Sequence, residues 1–335
     1  MPNLSPTSPA ADDAAGRSER VGYLDGWRGL AIACVLVDHF RPFPAVDAGN
    51  FGVDLFFVLS GLLMSRLLFV RRTPLALFYK RRISRIVPVF VLFVTTVYGV
   101  AYVSGDRRTW TEILATLTFL RTYIPWEPSI WHTGLPIGHL WSLNVEEHGY
   151  VLLSLLTLVT FVRTREGWVL LGLGGLAIGL ELVYQQLVEA TDFRYAIRTE
   201  TAAAHLLTSA GYFLIRHQVA PWVRPWMPVA SLALAGLVYW EGMPAPLSAV
   251  ASPYLLAFAV NHLEQGPAGL RAVLAITPLR LLGLCSYSVY LWQQPFYESR
   301  ELFPPGMALV AVLISGAGSF YFFENPVRRW LNTHW

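Results

Sequence analysis

The chain has 335 residues, of which 54% are hydrophobic and only 14% are charged. Soluble domains carry roughly 25% charged residues, so this composition excludes an ordinary soluble protein and predicts one membrane domain over residues 21–335. The net charge is only +3, and since no basic block is interleaved with aromatic residues, nucleic-acid binding has little support. Cys34 and Cys285 lie in different apolar runs, which disfavours a disulfide framework or a metal site.

The first twenty residues are rich in Pro, Ser, Ala and Asp and contain no apolar core. They are therefore unlike a cleavable signal peptide, and residues 1–20 are predicted to form a disordered cytoplasmic tail.

Apolar runs recur along the rest of the chain, and about ten of them have the length of a helical membrane span. The sequence thus predicts an all-α protein, a polytopic transmembrane helix bundle. The predicted spans cover residues 25–41, 51–70, 86–104, 140–162, 168–187, 201–215, 226–240, 247–262, 279–297 and 306–323.

Basic residues predict the orientation of this bundle, because cytoplasmic loops are enriched in Lys and Arg. Residues 66–85 contain seven such residues and no acidic residue. The loop between the second and third spans, and with it both termini, is therefore predicted to be cytoplasmic. The later basic loops agree only if residues 110–120 form a partial or re-entrant helix.

The first predicted span, YLDGWRGLAIACVLVDHF, contains Arg28 and His39. They are eleven positions apart, which places them on nearly the same helix face about 16 Å apart along the axis. Ionisable groups inside a membrane are costly and point to a functional site. A single histidine in an apolar helix is more often structural. A nearby carboxylate from Asp38, Asp54, Glu146 or Glu147 would make it a better base.

Two further motifs carry charge next to predicted spans. Arg81, Arg82 and Arg85 precede the third span; they fit a topology determinant and also a phosphate site, since arginine pairs with phosphate through two hydrogen bonds. Glu146 and Glu147 lie in HLWSLNVEEHGY. Adjacent helical residues point about 100° apart, so only one of these carboxylates is expected to face the bundle interior, and a water-filled mouth is the alternative.

These segments, with FGVDLFFVLSGLL, FYKRRISRIVP, CSYSVYLWQQPF and FFENPVRRWL, make six motifs in one order between residues 23 and 331. In this pattern the chain resembles the acyltransferase family 3 membrane proteins, which O-acylate sugars and natural products. The resemblance implies an inner-membrane bundle of about ten helices that uses a cytoplasmic acyl-CoA, usually acetyl-CoA, as donor substrate and holds no permanent cofactor.

The resemblance also implies roles for individual residues. Arg28 and His39 would be essential, the Arg81–Arg85 region would help to hold the donor, and Asp54 and Glu146 would support the site. Gln293 stands where the family often has histidine, and His148-Gly149 replaces a more usual Gln-Phe. Both departures leave the choice of acceptor open. The chain also stops soon after its last span, so the esterase-type domain fused to some relatives is expected to be absent.

The resulting hypothesis is an integral membrane O-acyltransferase. Arg82 and Arg85 would grip the phosphates of acyl-CoA, and His39 would act as general base or carry the acyl group transiently. Arg28 would pair with the donor or stabilise the thioester oxyanion, and Asp54 and Glu146 would orient His39.

Two rival classes remain at this stage. A transporter or flippase would line a pathway with the same buried charges, although no half-repeat is evident. A non-catalytic scaffold is disfavoured by the polar groups within the spans. The acceptor stays open among a surface polysaccharide, a lipid-linked sugar, a periplasmic glucan and a small metabolite.

Overall fold

The computed structural model describes residues 9–159, 164–187, 194–304 and 306–335, with side chains from residue 22 onward. Within these ranges the fold is all-helical, and the only extended pairing is an isolated bridge between Val46 and Trp240. The prediction of an all-α fold is therefore confirmed.

The helices follow one another with short connections, except for the long segment between the fourth and fifth. In the described ranges they are α1 (Pro9–Phe40), α2 (Ala48–Ser65), α3 (Leu75–Val103), α4 (Trp110–Leu117), α5 (Leu140–Leu156), α6 (Glu166–Leu187), α7 (Thr199–Ala202), α8 (Ala204–Val219), α9 (Met227–Val238), α10 (Ala245–Asn261), α11 (Ala268–Leu274), α12 (Thr277–Leu284), α13 (Ser286–Glu298), α14 (Met307–Ser319) and α15 (Asn325–His334).

Four helical stretches in the described ranges are long and apolar enough to cross a bilayer. They are Ala48–Val70, Leu75–Val103, Glu166–Leu187 and Met307–His334, and two of them continue through a π-helical turn. Two shorter apolar helices, α9 and α10, lie between them along the chain. The protein is thus a multi-pass membrane protein, and each predicted span overlaps a helix.

The structure differs from the sequence-based prediction at three boundaries. Residues 1–8 lie outside the described residues, and α1 begins at Pro9, inside the segment predicted to be a tail. Arg81 and Arg85 lie inside α3 rather than in a loop, because that helix begins directly after Pro74. The predicted ninth span is divided at Cys285, which ends α12 and precedes α13.

Residues 110–120, predicted to be a partial helix, contain the eight-residue α4. At 1.5 Å per residue this helix is about 12 Å long, well short of the roughly 30 Å hydrocarbon core. Thr109 and Glu112 form a capping box that fixes its first turn.

α1 lies at the centre of the bundle, where it packs against α2, α12, α11 and α13. Its contact with α12 depends on glycine at two facing positions. A Cβ atom added to Gly29 would lie 1.9 Å from the Leu279 carbonyl oxygen, and one added to Gly283 would lie 1.8 Å from that of Asp25. This close approach holds the polar face of α1 against the rest of the site.

Candidate active site

A cavity of about 330 Å³ lies among α1, α2, α3, α5 and α13. Much of its wall is apolar, and the polar side chains used below come from all five helices. They are Arg28, Ser60, Arg82, Arg85, Glu146 and Tyr150, with Tyr290 from α13.

Helical spacing explains why these residues share one cavity. Arg82 and Arg85 are three residues apart on α3, and Glu146 and Tyr150 are four apart on α5. Residues at these spacings lie on the same face of a helix. Each helix therefore presents a pair of polar side chains to the cavity opposite Arg28.

Arg82 is already neutralised within the protein. Its Nη2 atom lies 2.7 Å from Glu147 Oε1, and its Nε atom donates to the same carboxylate at 3.1 Å. The guanidinium carbon lies 3.3 Å from the centre of the Tyr150 ring, within cation–π range. Because the Arg82 side chain is only 12% exposed, this arginine is chiefly a structural member of the cavity wall.

Arg28 and Arg85 differ from Arg82 in lacking such a partner. In the described part of the chain, neither has a carboxylate within ion-pair distance, and the buried Nε atom of Arg85 has no hydrogen-bond acceptor. The Arg85 charge also acts directly on Arg28. Asp25 lines the same cavity within electrostatic range of both arginines but forms no ion pair with either among the described residues. Two partly buried positive charges with one nearby carboxylate favour a further anion.

Glu146 is held by hydroxyl groups and not by histidine. Ser60 from α2 and Tyr150 from α5 both donate to its Oε1 atom, and its Oε2 atom lies 4.0 Å from Arg82 Nη2. None of these partners is His39, so the predicted support of His39 by Glu146 finds no direct contact among the described residues. The carboxylate instead ties three helices together at the cavity wall.

His39 lies at the end of α1 and is half-buried. Its Nδ1 atom lies 2.5 Å from Gln293 Oε1, and its ring stacks on Tyr297 with the ring centres 4.2 Å apart. Gln293, which stands where the family often has histidine, thus contacts the imidazole directly. Sequence reasoning missed this role, although YSVYLWQQP marks the motif that supplies it.

Tyr290 joins the cavity wall to His139. Tyr290 lines the cavity, donates to the His139 carbonyl oxygen at 3.0 Å and contacts the His139 ring with centres 5.3 Å apart. His139 is 3% exposed and lies within electrostatic range of His39. Tyr290 is thus the cavity residue that contacts His139, whereas His39 itself does not line the cavity.

Asp54 belongs to a separate network. Tyr239 donates to its Oδ2 atom at 2.7 Å, His205 Nδ1 lies 3.3 Å from its Oδ1 atom, and His205 Nε2 lies 2.9 Å from Ser252 Oγ. These contacts join α2, α8 and α10 to the end of α9. The structure thus does not bring Asp54 into contact with His39, which was the predicted partner.

Arg81 is the remaining predicted donor-binding residue. Its side chain is exposed on α3, and it is not part of the cavity wall. Of the three arginines in this motif, Arg85 alone is a cavity residue without an ion pair among the described residues.

Comparison of the sequence with known proteins identifies a family. Residues 21–321 match the family described as an acyltransferase domain. The chain is 28% identical to the peptidoglycan O-acetyltransferase OatA of Listeria monocytogenes, over 91% of this chain and 55% of that protein. It is 24% identical to the O-acetyltransferase OatA of Staphylococcus aureus, over 91% of this chain and 57% of that protein.

A third relative is a putative membrane-bound transacylase, BcsY, of Komagataeibacter xylinus. It is 26% identical over 88% of this chain and 79% of its own length. The chain thus spans little more than half the length of the two O-acetyltransferases. No solved structure matches the chain.

Proposed function

The chain belongs to the acyltransferase domain family, and from this premise we propose that it is an integral membrane O-acyltransferase. It moves an acyl group, acetyl in the simplest case, from acyl-CoA to a hydroxyl of a carbohydrate. The observation that carries this proposal is the cavity in which Arg28 and Arg85 have no ion pair among the described residues.

The cavity has the chemistry of a donor site. Coenzyme A joins anionic phosphates to a long pantetheine arm that ends in the thioester. Arg85 and Arg28 supply guanidinium groups for the phosphates, and apolar side chains such as Phe56 and Leu67 line the rest of the cavity. Because ligand pockets measure about 300–1,000 Å³, a cavity of about 330 Å³ holds only part of the donor.

The distance along α1 assigns different tasks to Arg28 and His39. They are eleven residues apart, about 16 Å along the helix axis. Arg28 therefore binds the phosphate end of the donor and does not stabilise the oxyanion of a thioester at His39. The pantetheine arm spans the gap between the two residues.

His39 is the general base of the reaction. Its Nε2 atom takes the proton of the acceptor hydroxyl as the oxygen attacks the thioester carbonyl. The tetrahedral intermediate collapses, the carbon–sulfur bond breaks, and the proton passes from His39 to the departing CoA sulfur. Transient acylation of His39 is the alternative route.

The predicted topology determines the side of the membrane from which the donor enters. The basic residues favour about ten spans with both termini in the cytoplasm, which places the Arg28 and Arg85 end inside and His39 in the outer half. The protein then lies in the inner membrane, and acyl-CoA enters the bundle from the cytoplasm.

The acceptor is a sugar hydroxyl of a surface polysaccharide. The names of two relatives specify O-acetyltransferases, one of them acting on peptidoglycan. This chemistry fits a general base at the outer half of the bundle, because the acceptor approaches from the side opposite to the donor.

The experiment follows acetyl-CoA labelled on the acetyl group in membranes with and without the protein. The proposal expects thioester loss only with the protein and label in a glycan fraction. A transporter or flippase leaves the thioester intact, so unchanged acyl-CoA across several chain lengths and glycans, with correctly folded protein, would overturn the proposal.

A further inference from the structure

A chain of three hydrogen bonds leads from His39 to the surface. His39 Nδ1 lies 2.5 Å from Gln293 Oε1, Gln293 Nε2 donates to Gln294 Oε1 at 3.2 Å, and Gln294 Nε2 donates to Glu298 Oε1 at 3.0 Å. Gln293 and Gln294 are buried, with 0% and 3% exposure, whereas Glu298 is exposed at the end of α13.

The exposed carboxylate determines which atom donates in each of these hydrogen bonds. An ionised carboxylate only accepts hydrogen bonds, whereas an amide has one accepting oxygen and one donating nitrogen. Glu298 therefore requires the Gln294 nitrogen, which turns the Gln294 oxygen toward Gln293. The Gln293 nitrogen then faces Gln294, and its oxygen is left for His39.

The same logic fixes the proton on the imidazole. A neutral histidine donates from one ring nitrogen and accepts at the other. Because Gln293 presents an oxygen, the proton must lie on Nδ1 and the lone pair on Nε2.

We propose that Glu298 is a positioning residue, which acts through Gln294 and Gln293 to hold His39 in the tautomer with a free Nε2 atom. The inference rests on the proposed function for its consequence in catalysis, since a general base needs an unprotonated nitrogen aimed at the acceptor. Tyr297, stacked on the ring, fixes the plane of the imidazole while the glutamines fix its proton.

The tautomer can be measured without any catalytic assay. Protein with isotope-labelled histidine rings is placed in lipid nanodiscs, and the His39 resonances are assigned as those lost in His39→Ala. The ¹⁵N and ¹³C ring shifts distinguish a proton on Nδ1 from one on Nε2. The inference expects Nδ1 protonation in the wild type and a mixture of tautomers in Glu298→Gln.

Glu301 offers a matched control, because it is an exposed glutamate near the same end of the helix. Glu301→Gln removes the same charge without touching the hydrogen-bonded chain and is expected to leave the His39 signals unchanged. A wild type with the proton on Nε2, or a Glu298→Gln spectrum identical to that of the wild type, would overturn the inference.

Kinetics test the consequence for the reaction. Glu298→Gln is expected to lower kcat about threefold to tenfold, the effect of a lost orienting hydrogen bond, with no change in KM for acyl-CoA. In the Gln293→Glu background, where a carboxylate accepts directly from His39, adding Glu298→Gln should cause no further loss. An equal loss in both backgrounds would contradict action through Gln293.

The two proposals fail in different ways. If the wild type consumes no acyl-CoA, the proposed function fails while the ring shifts still decide the tautomer. If the wild type is active but Glu298→Gln keeps the wild-type kcat and ring shifts, only the inference about Glu298 fails.

Discussion

The Nδ1 atom of His39 in α1 lies 2.5 Å from the Oε1 atom of Gln293 in α13, although 254 positions separate the two residues. The contact joins the first and the fifth of the six sequence motifs at one point of the bundle. It gives the imidazole a fixed partner, which is a requirement for a general base that must meet its substrate in one orientation.

Removing this partner should slow the reaction. Gln293→Leu keeps the size of the buried side chain but leaves Nδ1 of His39 without an acceptor, so kcat is expected to fall about tenfold. Gln293→His, which restores an acceptor of the type frequent in the family, should retain most of the activity. Steady-state rates of CoA release measure both, and equal rates for Gln293→Leu and the wild type would refute the contact's role.

Arg85 should govern the affinity for the donor. Arg85→Ala removes a guanidinium that has no ion pair among the described residues, and KM for acyl-CoA is expected to rise about tenfold or more, as for other lost charge-assisted hydrogen bonds. Arg81→Ala is the matched control, because that arginine is exposed and outside the cavity wall. A rise of KM in both variants, or in neither, contradicts the assignment.

Substitution of Tyr239 tests whether the Asp54 network stabilises the fold without taking part in the reaction. Its hydroxyl donates to Asp54, so Tyr239→Phe should lower the free energy of unfolding by about 1–3 kcal/mol through an under-satisfied carboxylate. Catalytic constants of the folded protein should stay within about twofold of the wild type.

Thermal unfolding in detergent measures the stability effect, with Tyr254→Phe at an exposed tyrosine as the control. A large fall in kcat without any loss of stability would instead place the Asp54 network in the reaction.

Gly29 tests the close packing of α1 on α12. An added Cβ would lie 1.9 Å from the Leu279 carbonyl oxygen, so Gly29→Ala must push the helices apart and should cost at least about 2 kcal/mol. Gly236→Ala in α9 is the control, because an added Cβ there meets nothing within 4 Å. The yield of folded protein after detergent extraction measures the difference, and equal yields would argue against this packing.

Much of the fold follows from the sequence because apolar length is a strong signal for membrane helices. Each predicted span overlaps a helix, and the short α4 agrees with the requirement that residues 110–120 do not cross. The division at Cys285 escaped prediction, since Leu279–Tyr297 reads as one apolar run and the break shows only in the backbone of Cys285.

The site was predictable only in part. Helical spacing brought Arg28 and His39 to one helix face, and the basic motif pointed to Arg82 and Arg85. The partners of each group were not predictable, because they depend on contacts between distant helices. Glu146 binds Ser60 and Tyr150 rather than His39, and one-dimensional spacing carries no information about such pairs.

The most direct test of the account compares His39→Ala with the wild type and with His132→Ala. His132 bonds Ser129 in the segment between α4 and α5, so its variant controls for the loss of a histidine elsewhere. With acetyl-CoA and a glycan acceptor, the rate of acetyl transfer should fall at least about a hundredfold in His39→Ala, as expected for loss of a general base. The protein should stay folded, and His132→Ala should stay near the wild-type rate. Acetyl transfer by folded His39→Ala at the wild-type rate would contradict the account.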